Sequence, residues 1–401
     1  MTLTRQAVPA KTARREWTPV VAAMFCCGWG GNQFSPLLIM YREAGYSAFT
    51  VDALLGAYVI GLIPGLLLSG GLSNRFGRKP IMLVGTVLSL VASVMLALGE
   101  FGVAWLAAGR FVTGTAVAVA MAVGSTWVKE LADADPLGTP DLGTRRAALW
   151  LTLGLGLGPG AAGVLAQWGP WPMALPYSVH IGLTVLVLPF LPRSPETRLS
   201  RSAGTHRAGG TRHPRFRRVI LPMTPWIFGS LGVAYAIMPQ IVGDQLGSWS
   251  LAYSTLLTVC AIGAGVAVQP IAKRMDRTTS ARAIVLAMVM MCAGLAFSAV
   301  AATFRSPWLA LGSALVLGTA YGIAVVSGLL ELQRLARPDE LAELTGAYYA
   351  LAYVGFLLPS LLAALNSVAS YPAMLGCLAA LALAGTLTIA RHSRAHLPPA
   401  S

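Results

Sequence analysis

The chain is short of charge. Asp, Glu, Lys and Arg make up 11% of its 401 residues, against about 25% in ordinary soluble domains. With 56% hydrophobic residues and a mean hydropathy of +0.67, this excludes a soluble globular protein, which would need a core larger than the length allows. Acids are scarcer than bases, 15 against 29, giving a net charge of +14. That balance does not indicate a nucleic-acid partner, because the basic residues lie between apolar runs rather than on one soluble face. The five cysteines (Cys26, Cys27, Cys260, Cys292, Cys377) all fall inside apolar runs and lack metal-site spacing with histidine, so they read as buried free thiols. No G-x-x-x-x-G-K-[ST] loop, nucleophile–base pair or metal-ligand cluster occurs. The expectation is therefore neither an enzyme nor an ATP-driven pump, with no cofactor and no metal. The opening MTLTRQAVPAKTARREW has no short apolar region before a small-residue cleavage site; the first apolar run is expected to act as an uncleaved membrane signal.

Long apolar runs are abundant. Spans are expected near 18–41, 50–71, 80–98, 103–128, 145–166 and 173–192, then near 219–241, 250–271, 282–302, 307–330, 342–366 and 371–390. Each approaches the roughly 20 residues that cross about 30 Å of hydrocarbon. Basic residues cluster in alternate connections: Arg5 to Arg15, Arg75 to Lys79, Lys129 to Arg146, Lys273 to Arg282, Arg334 and Arg337, and Arg391 and Arg394. The opposite connections hold Arg42 and Arg305. Positive-inside bias then puts both termini in the cytoplasm of a bacterial-type inner membrane.

The expected organisation is a cytoplasmic tail (1–17), a six-helix bundle (18–192), a cytoplasmic linker (193–218), a second bundle (219–390) and a tail (391–401). The linker holds eight arginines and no apolar period. It reads as largely disordered and as a contact for anionic lipid headgroups. The halves read as a repeat at an offset of about 200 residues. Gly114-Thr115-Ala116 matches Gly318-Thr319-Ala320, Asn74-Arg75 matches Asp276-Arg277, and Pro159 matches Pro359. Such parallel halves suit a transporter that rocks about a central site.

Three segments carry a family resemblance. Gly70-Gly71-Leu72-Ser73-Asn74-Arg75-Phe76-Gly77-Arg78-Lys79 resembles the G-x-x-x-D-R-x-G-R-R/K loop of the major facilitator superfamily, at the expected place after the second span. Gly70 is expected to admit a neighbouring helix and Gly77 a tight turn. Arg75, Arg78 and Lys79 hold the loop at the membrane surface. Asn74 stands where the family has an aspartate; Asp276, beside Arg277, retains the acid in the second half. Arg110, followed four residues later by Gly114, resembles the family's fourth-helix motif. In proton-coupled members the matching arginine is implicated in proton transfer. Gly154, Gly158, Pro159 and Gly163 resemble the G-x-x-x-G-P-x-x-G-G motif linked to antiporters, with Ala162 as the departure. Small residues and a helix-bending proline suit a hinge-like packing surface. The resemblance implies an all-α membrane protein of 12 transmembrane helices in two pseudo-symmetric six-helix bundles, akin to the drug:proton antiporter branch.

In that superfamily the first, fourth, seventh and tenth helices line the cavity. Trp29, Asn32, Gln33 and Pro36 share one helical face and are expected to line the cavity, with interhelical hydrogen bonding of the amides as the alternative. Tyr235, Met238, Tyr321, Tyr349 and Tyr353, with Phe356, suit a bulky, partly apolar solute, and suit packing equally. No acid falls at mid-helix. Asp52 is expected to approach Arg110 at similar depth, and His180 titrates in the useful range. The leading expectation is proton-coupled export of a small amphipathic molecule by a monomer, with the proton gradient and membrane lipids as partners. Uptake or exchange of a nutrient, and a non-transporting membrane sensor, are the alternatives.

Overall fold

The computed structural model describes residues 16–133, 142–197, 213–335 and 341–395. The tail residues 1–15, the linker centre 198–212 and residues 396–401 lie outside the described residues, as do 134–141 and 336–340. What is described is helical, with one isolated bridge between Arg277 and Ser280.

Among the described residues, eleven helices are long and apolar enough to span a bilayer. They are α2 (Ala48–Phe76), α3 (Arg78–Phe101), α4 (Val103–Asp133), α5 (Leu142–Trp168), α6 (Leu175–Arg193), α7 (Phe216–Gln245), α8 (Gly247–Met275), α9 (Arg282–Phe304), α10 (Pro307–Leu335), α11 (Leu344–Leu365) and α12 (Tyr371–His392). The twelfth expected span is the first, α1, which is broken into Thr18–Asn32, Ser35–Leu37 and Leu38–Glu43. Pro36 cannot donate a backbone hydrogen bond there. Asn32 is committed sideways, its Nδ2 donating to Leu155 O at 2.9 Å and its Oδ1 accepting from Ser35 Oγ at 2.7 Å. Leu67, Leu68, Phe111, Leu186 and Leu381 stand exposed on the flanks; such a surface is the lipid contact of an integral membrane protein.

The repeat is visible in how helices touch. A Cβ at Gly114 of α4 would lie 2.1 Å from Tyr58 O of α2, and one at Gly318 of α10 would lie 2.1 Å from Ala261 O of α8. Likewise Gly154 brings α5 onto Phe25 O of α1 (2.2 Å), and Gly355 brings α11 onto Pro225 O of α7 (2.2 Å). In both pairs the second bundle repeats a contact made six helices earlier, backbone against backbone.

Two expectations need correction. The described ends of the 193–218 segment are ordered. Phe216, Val219 and Ile220 are buried and Arg215 is ion-paired, so the second bundle begins at Phe216 rather than at 219. Gly70 receives no close neighbour; a Cβ there would meet nothing within 4 Å.

Candidate functional site

At mid-depth the bundles meet through aromatic rings. Phe228 of α7 stacks on Tyr353 of α11 with centroids 4.1 Å apart and planes 15° apart. Tyr321 of α10 and Phe356 of α11 pack on the same ring at 5.6 and 4.9 Å. Tyr58 of α2 crosses from the first bundle, 6.1 Å from Tyr353 and 6.3 Å from Phe356. The Tyr353 hydroxyl donates to Met121 Sδ of α4 at 3.8 Å. Within the first bundle, Trp29 and Trp150 pack on Phe25 in edge contacts at 5.8 and 6.1 Å. Of the expected lining, Tyr321 and Tyr349 are half-buried, while Tyr235, Met238 and Tyr353 are buried. Tyr349 joins through Tyr353, 6.5 Å away. Phe25, Phe228 and Met121 were not singled out in the sequence, because a lone apolar residue in an apolar span carries no local signal.

The polar face of α1 is largely spoken for. Asn32 holds α5, as above. Gln33 is fully buried and points toward α3 rather than into an interface, its Nε2 donating to Ser93 Oγ at 3.1 Å. Ser93 Oγ lies 2.8 Å from His180 Nδ1, and His180 Nε2 lies 2.8 Å from Cys26 O. A carbonyl can only accept, so Nε2 carries the proton and Nδ1 accepts from Ser93. The chain Gln33–Ser93–His180–Cys26 then satisfies a neutral imidazole inside the first bundle.

Arg110 and Asp52 do not meet. The Arg110 guanidinium lies over the rings of Phe34 (4.7 Å) and Tyr58 (4.5 Å). Its Nε and Nη1 each donate to a carbonyl at 3.3 Å, Leu54 O and Gly31 O respectively. Asp52 pairs instead with Arg42 at 2.5 Å. The two residues share a depth but not a direction: Asp52 turns toward the end of α1. Arg42 resembles a topology charge in the sequence, yet it is the partner that matters.

Arg42 also reaches the other bundle, with Nη1 donating to Ala236 O at 3.3 Å. Ser360 Oγ of α11 donates to Asp52 O at 2.8 Å. At the same end, Gln167 of α5 donates to Ser248 O (2.9 Å) and accepts from Ala252 N (2.8 Å) of α8. These ties close the bundles at the end that carries the α1–α2 connection, the outer end in the expected orientation. Gly163 lies beside them: a Cβ there would fall 1.9 Å from Thr255 Oγ1 of α8. Gly154 and Gly158 pack α5 on α1 instead, so the hinge-like stripe serves two contacts. Pro159 lies inside α5 between them.

At the opposite end, Gly77 has φ +107° and makes the turn between α2 and α3. Arg78 pairs with Glu130 of α4 at 2.9 Å and donates to Asn74 Oδ1 at 2.6 Å and Ser73 Oγ at 2.7 Å. Glu196, beyond α6, accepts from Arg78 N and Lys79 N, both at 2.9 Å, and so caps α3. Lys79 Nζ donates to Pro192 O at 2.9 Å. Arg75 lies over Phe76 (5.1 Å). The second bundle answers with a ladder: Arg334 pairs with Asp276 and donates to Arg277 O (3.2 Å), Glu331 bonds Arg334 at 3.4 Å, and Arg215 pairs with Glu331. Glu130 and Glu331 each pair an arginine at this end of their bundle, and neither stands out in the sequence.

The family model described as Major Facilitator Superfamily matches residues 20–360. The chain belongs to the major facilitator superfamily. A human protein, "Solute carrier family 2, facilitated glucose transporter member 5", is 28% identical over 180 residues, which is 40% of this chain. The match spans about a third (35%) of that protein's length. Among solved structures, a POT family transporter in complex with 5-aminolevulinic acid superposes with a TM-score of 0.76 at 12% identity, covering 94% of this chain and 96% of that one. The nucleoside transporter NupG gives 0.69 at 11%, covering 96% and 99%. The xylose transporter XylE from E. coli, in a partially occluded inward open conformation, gives 0.68 at 16%, covering 95% and 98%. At these identities the structures establish the fold. Membership of this family makes transport, rather than catalysis, the activity expected of the chain.

Proposed function

We propose that this major facilitator protein carries a small amphipathic molecule between its two bundles by alternating access, exporting it in exchange for protons. The observation that carries the reading is the division of labour along the interface: aromatic rings at mid-depth, polar ties at the outer end. Trp29, Tyr321, Tyr349 and Tyr353 are the proposed cargo wall, with Tyr235 and Met238 closing it on the outer side. Aromatic faces with few free polar groups suit an amphipathic solute. Asn32 and Gln33 support the bundle rather than the cargo.

Asp52 is the proposed proton-binding group, acting through Arg42. Neutralising Asp52 removes the charge that orients Arg42 against Ala236 O, so a proton from outside favours an open outer end. An exporter takes up its proton in that same state. The antiporter-like stripe from Gly154 to Gly163 supports this direction. His180 and Arg110 are placed as structural and electrostatic elements, outside the proton step. We propose a monomer in an inner membrane with both termini cytoplasmic.

A second reading, facilitated exchange without protons, has one specific support: among the described residues, the mid-depth interface holds aromatic, methionine and amide side chains and no carboxylate. Purified protein in liposomes holding a trapped pH-sensitive dye separates the two. Substrate-dependent proton movement that is lost in Asp52→Asn, with substrate exchange retained, supports the export reading. Flux with no proton movement in the parent protein removes the proton from it.

A further inference from the structure

Several arginines elsewhere in the fold have carboxylates. Arg42 has Asp52, Arg78 has Glu130, Arg215 has Glu331, Arg305 has Asp244 and Arg334 has Asp276. Arg110 is 2% exposed and, among the described residues, has none. Its guanidinium is held by two ring faces and two carbonyls at the long end of hydrogen-bond distance. Ring quadrupoles and carbonyl dipoles lower the cost of burying a cation but leave its charge unneutralised. A buried ionised residue in a membrane bundle marks a functional position unless a partner neutralises it.

The position is next to the cargo wall. Tyr58 presents one face to Arg110 and packs against Tyr353 and Phe356 of the other bundle. Tyr235 of α7 lies within electrostatic reach of the same guanidinium. A solute lodged among these rings therefore has one fixed positive charge one ring away. Apart from the tyrosine hydroxyls, other recognition groups are few. Both ends of the Asn32 amide are taken, Gln33 faces Ser93, and the buried indole Nε1 of Trp29 is a donor without a partner among the described residues. A polyol could use the tyrosine hydroxyls of this lining but makes no use of a fixed positive charge. A ring with one carboxylate needs one cation and an aromatic slot.

We infer that the substrate is a small aromatic monocarboxylate whose carboxylate is bound by Arg110 and whose ring lies among Tyr58, Tyr321, Tyr353 and Phe228. A guanidinium matches a carboxylate in a bidentate fork, and one positive charge balances one negative charge. Binding requires Phe34 or Tyr58 to yield its place over the guanidinium, and Phe228 and Tyr353, stacked at 4.1 Å, to part for the ring. This rests on the transport reading above and names the cargo class of the same interface.

The test measures binding, not flux, so that it stands apart from the transport reading. Protein in lipid nanodiscs is titrated with 3-phenylpropionate, 3-phenylpropionamide and phenethylamine, and tryptophan fluorescence is followed. The acid is expected to bind at least about tenfold tighter than the amide, with the amine weakest. Arg110→Gln should bring acid and amide to parity, and Arg110→Lys should keep part of the preference. Thermal unfolding of each variant checks that it is folded; if Arg110→Gln does not fold, Arg110→Lys must reduce the acid-to-amide ratio on its own. Equal binding of acid and amide by the parent protein, no binding of the acid, or a preference that survives in Arg110→Gln or is undiminished in Arg110→Lys overturns the inference. Binding of the acid without flux in liposomes leaves it intact and counts against the transport reading instead.

Discussion

Gly163 is the sharpest place to perturb the interface, because a single methyl group there acts between bundles rather than within one. A Cβ at this position would lie 1.9 Å from Thr255 Oγ1, 2.5 Å from its Cγ2 and 2.7 Å from its Cβ. Rotating the threonine cannot relieve the last of these. Ordinary contact begins near 3.4 Å, so even with the threonine rotated α8 must give by about 0.7 Å (3.4 less 2.7). Overpacking of this kind costs about 1–3 kcal/mol. Because α5 and α8 meet across the interface, that cost falls on the closed outer end and is relieved when it opens. The open-to-closed ratio should rise about 5- to 150-fold in Gly163→Ala. Two variants on the same helix calibrate the result. Gly156 has nothing within 4 Å, so Gly156→Ala should be neutral. A Cβ at Gly154 meets Phe25 O of α1 at 2.2 Å, so Gly154→Ala should lower thermal stability without changing the outer gate. The assay is labelling of Leu251→Cys by a membrane-impermeant maleimide, with native-cysteine labelling subtracted. Leu251 is buried in the closed state beside the Gln167 tie. If Gly163→Ala lost stability as Gly154→Ala does while Leu251→Cys labelled at the parent rate, the idea that this contact selects a state would be refuted.

Glu331→Gln should destabilise the second bundle by about 3–5 kcal/mol, because Arg215 is left buried without a counter-charge; an unchanged unfolding temperature in detergent would mean that water already serves the pair. His180→Asn should cost about 1–3 kcal/mol by breaking the Ser93–His180–Cys26 run. It should leave the pH dependence of transport in place, and a displaced pH profile would put His180 back on the proton path.

The spans were legible because each is a long apolar run, and long runs are the strongest signal a membrane protein gives. The broken first span was half visible: Pro36 announced a break, but the sideways commitment of Asn32 to Leu155 needed the neighbouring helix. The interface aromatics were legible as i, i+4, i+7 rows, since helical spacing fixes which side chains share a face. Direction about the helix axis relative to other helices is not in that spacing. Gln33 was therefore placed in a cavity when it faces Ser93, and Asp52 was placed on Arg110 when it turns to Arg42. Glu196 was hidden differently. One glutamate in an arginine-rich linker looks like noise until its carboxylate lies on the first two backbone donors of α3.

The energies of the two kinds of contact explain why the bundles can move as units. Within each bundle, helices are joined by backbone-to-backbone approaches at Gly114, Gly154, Gly318 and Gly355 and by buried pairs such as Arg215–Glu331. Breaking one such pair costs about 3–5 kcal/mol. Between bundles, among the described residues, the outer end is closed by four hydrogen bonds, from Arg42, Ser360 and Gln167 and to Gln167. At about 0.5–1.5 kcal/mol net each, they sum to roughly 2–6 kcal/mol. A shift from 1:99 to 99:1 takes about 5.5 kcal/mol of differential binding. The polar part of the closure is thus of a size that a bound solute, or one proton on Asp52, can overcome, while the bundles themselves stay intact. Two rigid bodies joined by a weak polar seam at one end and an aromatic contact in the middle have one soft motion, rocking about that contact.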